Sequence, residues 1–105
     1  MASNFLPKRL AAFSFGGTLG TQAYTVPAGK GLIVKSVTAS YPTGANTINV
    51  VLKIGATTVY SFSIGVSTKE ATVNIILSAG EVLTVEGSSG GSTGYVTVGG
   101  VEFTI

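Results

Sequence analysis

The sequence predicts an all-β chain: an antiparallel β-sandwich of about eight strands, jelly-roll-like in topology. Three observations carry this. Apolar and polar residues alternate with period two along most of the chain. Gly-, Pro- and Asn-containing turn signals separate the alternating runs at short intervals. No window shows helical periodicity with caps. Two antiparallel sheets make the jelly roll the first topology. An immunoglobulin-like Greek key is the second, although its Cys-Trp-Cys core is missing.

Taken in order, strands are expected near 10–15, 21–26, 31–41, 46–54, 57–64, 71–77, 81–87 and 94–104. The first three are bounded by Gly16-Gly17, by Pro27-Ala28-Gly29 and by Pro42-Thr43-Gly44-Ala45-Asn46. In the fourth, Ile48, Val50, Leu52 and Ile54 share one face; in the fifth, Tyr60, Phe62 and Ile64 do. Gly55-Ala56 reads as the tight hairpin between them. Val73, Ile75 and Leu77 form the inner row of the sixth strand, and Leu83 and Val85 that of the seventh, with Ser78-Ala79-Gly80 as the turn. The stretch Gly87 to Gly94 reads as a flexible connection or an adaptable contact loop. In the last strand Val96 and Val98 share a face, then Val101, Phe103 and Ile105 do. That shift across Gly99-Gly100 predicts a bulge.

Residues 1–9 read as an N-terminal arm and 10–105 as a single sandwich domain. Val26-Pro-Ala-Gly29 followed by a strand echoes Leu77-Ser-Ala-Gly80 followed by a strand. Two similar turns arising independently, or the pseudo-symmetry of two Greek keys, account for the echo equally well.

The chain has 105 residues, of which 10% are charged, against roughly 25% in an average soluble domain. Mean hydropathy is +0.54. Gly, Ser and Thr supply the polarity, a composition suited to strands, turns and surfaces that become covered. Net charge is +2, and only Lys8 and Arg9 are adjacent, so no basic stripe predicts nucleic-acid binding. No apolar run reaches a membrane-helix length, and Lys8-Arg9 before Leu10–Phe15 only faintly imitates a signal peptide. A cytoplasmic origin without export is the expectation.

The inventory leaves little for catalysis. The chain has no His, Asp, Cys or Trp, so a serine nucleophile lacks its usual base and zinc its usual ligands. The carboxylate side chains are Glu70, Glu81, Glu86 and Glu102; they read as solvated groups at strand ends, and no loop holds two for calcium. Gly16-Gly17-Thr18-Leu19-Gly20 lacks the ending of a phosphate loop. It and Gly29-Lys30-Gly31 read as turns needing positive φ. No catalytic, cofactor or metal site is expected. Tyr41, Tyr60 and Tyr95 are placed at strand ends, where they can stack on sugars or close the core with hydroxyls at the rim.

The outward rows are interrupted by Val51, Val59, Ile76 and Val82, which are expected to merge into an apolar oligomer-interface patch; the alternative is that a loop or the arm covers both faces of one sheet within the monomer. In the arm, Phe5 and Leu6 beside Lys8 and Arg9 are expected to dock on a neighbouring subunit or on the chain's own sandwich.

The segments Tyr24-Thr-Val-Pro-Ala-Gly-Lys-Gly-Leu-Ile-Val-Lys-Ser-Val-Thr-Ala-Ser40 and Leu77-Ser-Ala-Gly-Glu-Val-Leu-Thr-Val-Glu-Gly-Ser88 resemble small β-sandwich structural proteins of tailed bacteriophage particles. With the hairpin between them they span about two thirds of the chain, and as turn-and-strand motifs they are of modest specificity. The resemblance implies a multicopy virion component without enzymatic activity. A head decoration or cement protein comes first, trimeric and in contact with the major capsid protein. A neck, tail or fibre module comes second. A carbohydrate- or receptor-binding module is the alternative of another class, and a weak enzyme ranks last.

Overall fold

The computed structural model describes residues 5–16, 19–42, 47–89 and 93–105. Parts of three expected features lie outside these residues: Met1–Asn4 of the arm, 43–46 of the turn after Pro42, and 90–92 of the Gly/Ser stretch. Gly17 and Thr18 also lie outside them. Eight strands follow one another: β1 (Phe5–Phe15), β2 (Gly20–Thr25), β3 (Lys30–Tyr41), β4 (Ile48–Ile54), β5 (Thr57–Ile64), β6 (Ser67–Leu77), β7 (Val82–Ser89) and β8 (Gly94–Thr104). β-Branched and aromatic residues dominate the strands because they suit a pleated, half-buried surface.

The strands form two four-stranded antiparallel sheets, A in the order β1-β8-β3-β6 and B in the order β2-β7-β4-β5. The pairs β1·β8, β2·β7, β3·β6 and β4·β5 are the rungs of one long hairpin whose tip is the β4–β5 turn. Wrapping that hairpin around itself adds β3·β8 and β4·β7. This is a jelly roll, the first of the two topologies expected.

The core lies between the sheets. Leu32, Val34, Val37 and Ala39 of β3 and Val96 and Val98 of β8 face Ile48, Val50 and Leu52 of β4 and Leu83 and Val85 of β7. All of them are buried. Tyr41, expected at the rim, is fully buried, and among the described residues its hydroxyl has no partner. Tyr60 is half-buried with its ring 5.8 Å from that of Phe62.

The turns Pro27–Gly29 and Ser78–Gly80 have the same construction. Gly29 and Gly80 sit at φ 75° and 86°, and Lys30 and Glu81 donate their N–H groups to Pro27 and Ser78. The two turns are also bonded to each other: Val26 N–H donates to the Glu81 carbonyl and Gly80 N–H to the Val26 carbonyl. The internal echo in the sequence thus marks two equivalent crossings between the sheets.

Four expectations are corrected. Residues 5–9 are not a separate arm but the first half of β1, paired with β8 from Phe5↔Phe103 onward. The bulge is not in β8, where Val96, Val98, Gly100 and Glu102 stay on one side. The register shifts lie in its neighbours, between Arg9 and Ala11 and between Val34 and Ser36. A Cβ on Gly100 would stand 2.5 Å from the Ile33 carbonyl, so that glycine lets the bulged strand close on β8. Gly87 is not slack loop: β7 runs to Ser89, and the Phe15 ring occupies the space of a Gly87 side chain, 2.4 Å from where its Cβ would be. Finally, Gly20 and Gly31 do not take positive φ. They lie in strands, where Phe15 and Phe103 stand in the place of their side chains.

Candidate functional site

Two arrangements stand out once the strands are in register. The first is polar. Glu102 was expected in water, but its place on the inward side of β8 leaves it 5% exposed. There it accepts a hydrogen bond from the Tyr24 hydroxyl of β2, in the opposite sheet. Lys8 Nζ lies 3.7 Å from its other carboxylate oxygen. Burial, the hydrogen bond to Glu102 and the carboxylate's charge push the Tyr24 phenol up from 10.0 to about 12. A carboxylate held by a tyrosine and a lysine ties β1, β2 and β8 together. Among the described residues no three His, Cys, Asp or Glu side chains gather to hold a metal.

The second arrangement is apolar. On the outer side of sheet A the register sets side chains in cross-strand rows. Pro7, Val101, Ile33 and Ile76 form one row across all four strands. Phe5, Phe103 and Gly31 form the row beside it. The Phe103 ring lies over Gly31, where a Cβ would be only 2.4 Å from it, and its centroid is 6.0 Å from that of Phe5. Phe5 is 56% exposed and Ile76 68%. Along the strands the same face then becomes polar, through Arg9, Ser36 and Thr72, then Ala12, Thr97, Thr38 and Glu70, then Ser14, Tyr95, Ser40 and Thr68. The outer side of sheet B differs: Val51 and Val82 sit there half-buried among Thr21, Thr84, Ser61 and the Lys53–Glu86 pair at 3.3 Å.

The residues singled out from the sequence are therefore divided. Phe5 and Ile76 belong to the apolar half of sheet A. Val51 and Val82 lie on sheet B, and Val59 is the extra residue at the register shift in β5 opposite Leu52 and Lys53. The four interrupting residues do not merge into one patch, because β6 belongs to one sheet and β4, β5 and β7 to the other. Leu6 and Lys8 point to the other side of β1 from Phe5, Lys8 toward Glu102. Arg9 stands on the outer face, next to the apolar row. Sequence reasoning missed Pro7 and Ile33, and it grouped Val101 and Phe103 with Ile105 on one face without assigning them to the outer surface. Their only signal was the run Leu32-Ile33-Val34, whose middle residue must point outward if its neighbours point in.

No protein-family model matches this chain, and no curated protein matches it in sequence. Among solved structures, a chain from the work describing Bacillus endospore appendages as a family of disulfide-linked pili is similar to it. The TM-score is 0.61, over 100% of this chain and 92% of that one, at 12% sequence identity. This chain has no cysteine to match the disulfides of that description. At that identity the likeness establishes a shared sandwich fold.

Proposed function

We propose that this chain is a non-enzymatic structural subunit of a multicopy particle, which it joins by protein–protein contact through the outer face of sheet A. One observation carries the reading: the row Pro7, Val101, Ile33 and Ile76, with Phe5 and Phe103 beside it, is a contiguous apolar surface on the outside of a sheet. Contiguous apolar patches on a soluble domain mark contact sites. The low charge of the chain supports the same reading.

The particle we propose is a tailed-phage virion, in which the subunit decorates and cements the head. The sequence resemblance supports this, and the jelly roll is a fold that capsid proteins use. A neck, tail or fibre position is the nearer alternative. The likeness to a pilus chain favours a second reading, a subunit of an extracellular fibre. Of the three tyrosines behind the glycan-binding alternative, Tyr41 is fully buried, Tyr60 is half-buried and Tyr95 is exposed on sheet A.

Mass spectrometry of purified virions, with immunogold labelling of intact particles, tests the proposal. The chain is expected on the head in many copies. Its absence from virions, with label on cell- or spore-surface fibres, overturns the virion reading in favour of the second. Presence as a single soluble species in neither overturns both.

A further inference from the structure

The outer face of sheet A carries charge in a pattern that a second copy of the same face matches. Arg9 stands on β1, at one edge of the sheet, in the row Arg9–Gly99–Ser36–Thr72. Glu70 stands on β6, at the opposite edge, in the next row, Ala12–Thr97–Thr38–Glu70. Both are exposed, and among the described residues neither enters an ion pair; those formed are Lys8–Glu102 and Lys53–Glu86.

We propose that sheet A binds the same face of a second copy about a two-fold axis parallel to its strands. This deepens the assembly reading above and rests on it. Such an axis lays β1 of one copy over β6 of the other, and β8 over β3. Pro7 then meets the other copy's Ile76, and Val101 its Ile33, each contact made twice, as an isologous interface requires. Arg9 comes one row from the other copy's Glu70, roughly 7 Å along the strand direction, within reach of two long side chains. That pair too forms twice. Lys35, on the bulge of β3 with its Nζ 2.9 Å from Asn74 Oδ1, comes over Gly99 and Gly100, which have no side chains to oppose it. Aligned face-to-face packing is an ordinary way for one sheet to cover another. A specific interface needs about 1,000 Å² in total, so the apolar half and the polar rows beside it are buried together in this pairing.

Sedimentation velocity on the purified full chain, from micromolar to submillimolar concentration, tests this. The wild type is expected to dimerise. Ile76→Lys is expected to be monomeric with an unchanged circular dichroism spectrum. Arg9→Glu and Glu70→Arg are each expected to raise the dissociation constant about tenfold, and the two together to restore it to within about threefold. A wild type that stays monomeric overturns the proposal, as does a dimer indifferent to Ile76→Lys or a double swap no better than either single change. The assembly reading is judged separately, by whether the Ile76→Lys chain enters purified particles. If it is excluded while the wild type is monomeric, the face serves another protein and the assembly reading stands. If it enters while the wild type dimerises, the dimer stands and the assembly reading falls.

Discussion

Tyr24 donates its hydroxyl proton to the carboxylate of Glu102, 78 residues later and in the other sheet. The carboxylate is buried, so the bond and the Lys8 ammonium at 3.7 Å replace water around it. Glu102→Gln keeps the shape and removes the charge. It is expected to cost about 1–3 kcal/mol, read as a lower urea midpoint at unchanged slope. An unchanged midpoint would show that the group is as well solvated in the fold as out of it.

The same contact predicts a pH window. With the folded phenol at about 12 and its unfolded value at 10.0, the protonated form is the one the fold favours. Its contribution is therefore complete below pH 10 and declines as pH rises from about 10 to 12. Absorbance titration of the phenolates should show one late-titrating tyrosine that Tyr24→Phe removes. In Glu102→Gln, the Tyr24 titration should move down only in part, because the carboxylate's charge is gone while burial, the largest cause of the rise, remains.

Phe15 packs its ring where Gly87 and Gly94 have no side chains. Gly87→Ala is expected to destabilise the fold by about 1–3 kcal/mol through overpacking, although composition places it in a loop. Gly65→Ala is the control, since open space surrounds it and its φ is not positive. That variant should be neutral or slightly stabilising. Thermal denaturation of the two variants side by side decides the matter: equal shifts would refute the Phe15 contact.

Tyr41 buries a hydroxyl without a described partner. Removing such a group relieves a desolvation cost of about 1–3 kcal/mol where no bond is lost. Tyr41→Phe is therefore expected to hold or raise the melting temperature. A fall of several degrees would mean that the hydroxyl is bonded in solution.

The two sheet faces are expected to respond differently to substitution. Ile76→Thr should reduce incorporation into particles, whereas Val51→Thr and Val82→Thr on sheet B should leave it intact. Quantifying each variant in purified particles checks this. Loss from the sheet B variants alone would move the contact surface to the other side of the sandwich.

Much of this was legible in the chain itself. Ile48, Val50 and Leu52 point inward as their alternation demands, and Gly55 and Gly80 turn where expected, at φ 60° and 86°. Local sterics and period-two burial act within a few residues, so the local sequence suffices for them. The chain could not reveal which strand borders which. Ile76 and Val82 look alike as outward residues, yet the strand order puts them on different sheets.

The sequence by itself determined that this protein is a set of antiparallel strands, where most of them turn, and which side of most strands is buried. The tertiary structure alone decided that Glu102 is inside with Tyr24 and Lys8, that Gly87 makes room for Phe15, and that Pro7, Val101, Ile33 and Ile76 align as one exposed row. Those relations join residues far apart in the chain. They follow from strand order and from bulges in β1 and β3, each of which flips the facing of everything beyond it. Alternation fixes a side chain's side only relative to its near neighbours on the same strand. Pairing across the sheet fixes what it meets.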